Sequence, residues 1–214
     1  MNEIQKGIEY AYGVGNVQFD DQGNVISAEI VNENVGVVAG LFIGLILGAM
    51  GGFDMGGPVN KIAFVTCTIL TSASGTQGII GTDVADVLQR PMGSLAAAIP
   101  VAPLGMGLTS MLFPKFFDKD TKNLGIGAFI MGCIGISEGA IPFAIRDPKR
   151  AILCNVLGSA TAGAIAGALG VQDAAAHGGP IVAILGAVPY GVQTLYFFIA
   201  AIAGVAVTTV AYGF

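Results

Sequence analysis

The chain alternates between long apolar runs and short polar clusters. The apolar runs cover roughly residues 35–53, 62–81, 92–113, 124–145, 151–170, 178–189 and 193–213. A helix rises about 1.5 Å per residue, so about 20 residues cross the hydrocarbon core of a bilayer. Four runs meet that length as full spans: 35–53, 92–113, 151–170 and 193–213. The other three do not read as simple spans. Run 178–189 is too short, run 62–81 is diluted by hydroxyl side chains from Thr66 to Thr76 and by Gln77, and run 124–145 contains Glu138 and Pro142. These three are expected to be broken or re-entrant pieces, because irregular backbone at membrane depth survives only where protein or a cavity surrounds it.

Residues 1–34 differ in kind. They hold six acids (Glu3, Glu9, Asp20, Asp21, Glu29, Glu33) and one base, Lys6. The stretch around Asp21–Asn24 has turn chemistry and is followed by rough alternation, which suits a short hairpin. No signal-peptide pattern opens the chain. The expected organisation is therefore a polar segment, 1–34, followed by a membrane-embedded region, 35–214.

Composition agrees with a membrane protein. Hydrophobic residues make up 54% of the 214 positions and charged residues only 11%, against about 25% charged in an ordinary soluble domain. Residues 151–214 carry a single charged side chain, Asp173, which a solvated surface would not tolerate. The chain has 33 glycines, many at small-residue spacing, as in 158–170, where close helix contact is expected. No basic patch with interleaved aromatics is present, so nucleic acid is not an expected partner. Cys67, Cys133 and Cys154 sit in apolar runs with neither a disulfide framework nor metal-ligand spacing, and read as small buried hydrophobes. No metal or cofactor is expected.

The bases give a topological expectation. Lys115, Lys119 and Lys122 precede run 124–145, and Arg146, Lys149 and Arg150 follow it. Basic clusters favour the cytoplasmic side, and a segment that dips in and returns keeps both clusters there. Gly139 frees the backbone at the turn, and Pro142 cannot continue a helical ladder through it.

Three polar constellations stay within the apolar region. Glu138 in "GISEGAIPF" is a carboxylate at depth, costing about 2.5 kcal/mol or more to insert, so it reads as a ligand or proton site, with a hairpin-pinning acid as the plainer alternative. "GGFDMGGPVNK" places Asp54, Asn60 and Lys61 beside Pro58, either as a helix cap or as a polar turn facing the same cavity. "DAAAHGGP" holds His177, the single histidine, ahead of a run too short to span. No Walker pattern and no credible nucleophilic triad is present.

These stretches, with "PVAPLG" at 100–105, resemble the membrane (IIC) component of the bacterial phosphoenolpyruvate-dependent sugar phosphotransferase system, in its fructose-type branch. The resemblance covers residues 36–214. It implies an all-α polytopic helical bundle with re-entrant hairpins and an elevator-type transport domain, in the bacterial cytoplasmic membrane. It implies a homodimer that moves a fructose-like sugar, which a IIB component charged by IIA then phosphorylates, while the IIC chain carries no phosphoryl group. By position it implies sugar binding at Glu138, with Gly139, His177, Asn60 and Asp54 around it. The family's component has further helices ahead of the Asp-Met-Gly-Gly motif. The chain therefore corresponds to its C-terminal half, to be completed by a second copy or a separate N-terminal half. Two other readings compete with this one: a secondary transporter using Glu138 as proton carrier, and a non-transporting half-subunit.

Overall fold

The computed structural model describes residues 13–19, 25–30, 33–76 and 83–214. The polar segment contributes two antiparallel strands, β1 (Val14–Phe19) and β2 (Val25–Ile30), so the expected hairpin pairing is present. The expected turn at Asp21–Asn24 lies outside the described residues. The regular elements described after it are helices: α1 (Glu33–Phe53), α2 (Pro58–Thr76), α3 (Asp83–Ala98), α4 (Val101–Leu112), α5 (Lys119–Cys133), α6 (Ile141–Arg146), α7 (Pro148–Ala168), α8 (Pro180–Ile184) and α9 (Val192–Gly213).

Among the described residues, four stretches are long and apolar enough to cross a membrane: Val35–Phe53, Ala85–Leu112, Pro148–Ala168 and Val192–Gly213. They coincide with the four expected spans, with one difference. The second begins several residues before position 92 and consists of two helices, α3 and α4, that meet at Ile99–Pro100. Asp86, Gln89 and Arg90 dilute its first turns and hid its start. Pro100 has no N–H to continue the ladder, and Pro103 sits in the first turn of α4, where its missing N–H is not needed. This jointed stretch is the axis of the bundle, since every residue from 91 to 107 is buried.

Small residues bring the helices onto one another. On α1, Gly40, Gly44, Gly48 and Gly52 recur every fourth position. Asn155, Ser159, Gly163 and Gly167 do the same on α7, so each row forms one face of its helix. The two rows interlock. A Cβ on Gly44 would lie 2.0 Å from the carbonyl oxygen of Gly163, one on Gly48 2.2 Å from that of Ser159, and one on Gly52 2.5 Å from that of Asn155. Lipid tails are as apolar as leucine, so van der Waals contact at such short range supplies the attraction that hydrophobicity supplies in water. The contact of α7 with α9 follows the same logic through Gly158 and Gly204, and the Thr208 hydroxyl donates to the Cys154 carbonyl at 3.2 Å.

The three shorter runs behave differently from one another. The described part of run 62–81 is unbroken α2, with the Thr68 hydroxyl donating to the Phe64 carbonyl one turn back. Over those residues the helix is not interrupted, since threonines bonded within their own helix do not break it, and the rest of the run lies outside the described residues. Run 124–145 is broken: α5 ends at Cys133, Gly135 turns the chain, residues 137–140 form a 3-10 turn, and α6 follows. Run 178–189 contains only α8 and the turns after it. Cys67 and Cys154 are buried, while Cys133 is partly accessible.

Candidate functional site

Three turns meet around the 3-10 segment. The first, Asp54–Gly57, joins α1 to α2. The second, Ile134–Ala140, joins α5 to α6. The third, His177–Gly179, precedes α8. Gly56 has φ +100°, and a Cβ there would sit 2.6 Å from Glu138 Oε1, so the Glu138 carboxylate lies directly on the first turn. Gly135 has φ +82°, and a Cβ there would sit 1.8 Å from the Gly178 carbonyl oxygen, so the second and third turns touch backbone to backbone. Only glycine fits either position. The Gly179 N–H donates to the Ala96 carbonyl at 2.9 Å and fixes the third turn to α3.

The polar side chains divide into two groups. Asp54 faces its own turn: Oδ2 accepts from the Val59 N–H at 2.6 Å and Oδ1 from the Asn60 N–H at 3.0 Å, which caps the start of α2 behind Pro58. Asn60 is buried and donates through Nδ2 to the Gly51 carbonyl at 2.9 Å, closing the same turn from the other side. Gly139 is buried too. A Cβ there would meet Ala128 Cα and Met131 Cβ at 3.1 Å and Pro103 Cβ at 3.2 Å, so its role is to seat the 3-10 turn between α4 and α5. Lys61 is exposed.

Glu138 and His177 point elsewhere. Glu138 is exposed, and among the described residues nothing donates to its carboxylate. An acid that pinned the hairpin would accept backbone N–H groups, and this one does not. His177 is also exposed, and its Nε2 lies 2.8 Å from the Ile134 carbonyl oxygen. A carbonyl can only accept, so Nε2 carries the hydrogen, and Nδ1 of the neutral ring is left as an acceptor. A two-oxygen acceptor and an imidazole acceptor on adjoining turns suit a ligand rich in hydroxyl groups. Among the described residues no three of His, Cys, Asp or Glu gather in a way that could hold a metal ion.

Two buried polar residues support this region and were not singled out from sequence. Asn155, on α7, is fully buried; its Nδ2 lies 3.3 Å from Met55 Sδ beneath the first turn, and its Oδ1 has no partner among the described residues. Met55 itself has φ +49°, a conformation its side chain adopts only when held there. Asp173, between α7 and α8, is fully buried: Oδ1 accepts from the Ala175 N–H at 2.8 Å and Oδ2 has no partner among the described residues. Burial pushes the Asp173 carboxyl up to about 7, against smaller opposing effects of the Ala175 N–H and of His177. A polar residue in an apolar run was the only sequence signal for Asn155, and its lone charge in the last 64 positions was the signal for Asp173.

Membrane-spanning helices joined by broken segments, with an unengaged carboxylate at their meeting point, define a polytopic membrane protein with a polar site between turns. Comparison with known proteins gives its relatives. The chain is 40% identical over 183 residues to the PTS system fructose-specific EIIB'BC component of Escherichia coli, a match covering 85% of this chain and 30% of that relative. It is 35% identical over 182 residues to the PTS system fructose-specific EIIC component of Haloferax volcanii, covering 85% of this chain and 44% of the relative. It is 37% identical over 142 residues to the Fructose-like permease IIC component 2 of Escherichia coli, covering 66% of this chain and 36% of the relative. No family model and no solved structure matches it. The chain matches the IIC membrane component of fructose-type phosphotransferase systems, and it spans less than half the length of these relatives.

Proposed function

We propose that the chain serves as the sugar-translocating part of a fructose-type IIC permease in the bacterial cytoplasmic membrane. A IIB partner, charged by IIA, phosphorylates the arriving sugar, and this chain supplies no phosphoryl-carrying residue. The observation that carries the reading is the meeting of three turns around an exposed, unengaged Glu138. Glu138 accepts sugar hydroxyls, and His177 contributes a further acceptor. Asp54 and Asn60 hold the turn on which Glu138 rests, and Gly139 allows its close seating. Residues 35–214 act as the transport domain, and residues 1–34 as a polar segment ahead of it. Segments 119–146 and 177–191 are re-entrant, and the domain moves as an elevator between the two membrane faces. The working assembly is a homodimer, or a complex with a membrane chain that supplies further helices.

The test is uptake of labelled fructose by cells that lack their own fructose permease. These cells express this chain within its full assembly, with and without IIA and IIB. The expected result is accumulation of phosphorylated sugar only when both soluble components are present. Unphosphorylated sugar arriving in step with a proton gradient would overturn the coupling.

A further inference from the structure

A polar cavity that Glu138 does not line lies at the end of the bundle where the two basic clusters converge. It encloses about 420 Å³ between the start of α5, the α6–α7 junction and the end of α9. Phe117, Phe143 and Tyr212 form aromatic walls, with Phe117 and Phe143 ring centroids 6.2 and 6.4 Å from that of Tyr212. Two guanidinium groups, Arg146 and Arg150, line it.

The two arginines are held in different ways. Arg146 is paired with Asp118 at 2.9 Å and donates to the Thr121 hydroxyl, so its charge is largely answered within the protein. Arg150 makes no ion pair among the described residues. Its guanidinium carbon stands 5.5 Å from the centre of the Tyr212 ring. A ring face steadies a guanidinium without using its N–H donors, so the planar fork stays available. The Tyr212 hydroxyl also makes no hydrogen bond among the described residues. One carboxylate lines the cavity, Asp147, and it accepts from the Arg150 backbone N–H at 3.4 Å. Lys149 is exposed on the neighbouring turn and does not line the cavity.

We propose that this cavity binds a phosphate monoester, with the Arg150 fork and the Tyr212 hydroxyl on the phosphate oxygens and the aromatic walls around the organic body. A guanidinium pairs with phosphate through parallel N–H···O bonds, and a neutral sugar offers no charge to repay the desolvation of Arg150. The same chemistry is presented by a free phosphorylated small molecule and by the headgroup of an anionic lipid.

The experiment uses the purified full chain. Calorimetry in neutral detergent measures binding of inorganic phosphate and glycerol 3-phosphate. Binding to nanodiscs with and without phosphatidic acid measures the lipid source. Saturable binding to at least one of these three probes is expected, and whether a soluble probe or the lipid binds identifies the source. Arg150→Gln should weaken it by about tenfold or more, while Lys149→Gln changes it by less than about twofold. Arg150→Lys, which keeps the charge and stem but loses the fork, should remain folded and still bind several-fold more weakly. Melting temperatures of all variants separate lost binding from lost folding. Absence of saturable binding to all three probes, or equal weakening by Arg150→Gln and Lys149→Gln, overturns the assignment.

Discussion

Arg146 reaches back 28 positions to Asp118, with Nη1 2.9 Å from Oδ1 and Nη2 3.4 Å from Oδ2. Thr121 completes the knot: its backbone N–H and its hydroxyl donate to the Asp118 carboxylate, and its hydroxyl accepts from Arg146. The two Thr121 bonds, and then the Arg146 charge, hold the Asp118 carboxyl below its ordinary value. The pair is about half exposed on both sides, so it contributes little to stability. Its significance is geometric. The start of α5 and the end of α6 meet, so the chain between them goes out and comes back.

That return path makes a topological prediction. Lys119 and Lys149 flank the knot and should face the same side of the membrane, with basic clusters placing that side in the cytoplasm. In a background without native cysteines, Lys119→Cys and Lys149→Cys should both resist an impermeant thiol reagent in intact cells and both react in inverted vesicles. Reaction of one but not the other from outside would mean that the segment crosses the bilayer.

How much of this was legible beforehand depended on which force decides each feature. The four spans were legible because hydropathy over 20-odd residues decides them, and only the start of α3 was obscured, by Asp86, Gln89 and Arg90. A break in run 124–145 was legible because Glu138, Gly139 and Pro142 cannot all sit in a plain apolar helix, but its place was not: the chain turns at Gly135, four residues before Gly139, and Pro142 sits in the first turn of α6. The orientation of Asp54 and Asn60 was not. An aspartate before Gly-Gly-Pro reads equally well as a cap or as a ligand, and only the path of the turn turns its oxygens onto Val59 and Asn60. Asn155 and Asp173 were harder still, because burial is a tertiary property. The unbroken α2 shows the converse: hydroxyls lower hydropathy yet are satisfied within the helix that carries them.

The glycine rows on α1 and α7 predict a sharp contrast between two substitutions. Gly44→Leu puts a side chain where even a Cβ would lie 2.0 Å from the Gly163 carbonyl oxygen, and backbone cannot yield as a side chain can. The expected cost is about 3 kcal/mol or more, seen as a collapse of the melting temperature in detergent. Gly127→Ala, on the open face of α5, meets nothing within 4 Å and should be neutral or stabilising, by up to about 1 kcal/mol. Equal effects of the two changes would refute the interlocked packing.

Asp173 predicts a pH dependence with a definite sign. Its carboxyl is raised from 3.8 to about 7 in the folded chain, so the folded state holds a proton that the unfolded state releases first. Its contribution to stability is fully present below the unfolded value and is lost as pH climbs through about 4 to about 7. Asp173→Asn cannot ionise and keeps an oxygen for the Ala175 N–H. The variant should therefore melt a few degrees above the parent at about pH 8, with a smaller gap at about pH 5. A gap that does not change with pH would show that the buried carboxyl is not titrating.

Glu138→Gln tests the proposed sugar site itself. Glutamine keeps the size of the side chain and one carbonyl acceptor, and loses the charge and the second acceptor oxygen. Hydrogen bonds to a charged acceptor contribute about 1.5–3 kcal/mol against about 1 for neutral ones. The lost increment alone should weaken fructose binding by about tenfold, and further if the amide N–H₂ meets a hydroxyl hydrogen. Stability should hardly move, because the carboxylate accepts no hydrogen bond from the described protein and its contact with Gly56 is a matter of shape that glutamine reproduces. The measurements are fructose affinity and melting temperature on the same preparation of the chain in its full assembly. Lower affinity at constant melting temperature places Glu138 on the sugar. Affinity that falls only as far as stability falls would return it to a structural role, and unchanged affinity would remove it from the site.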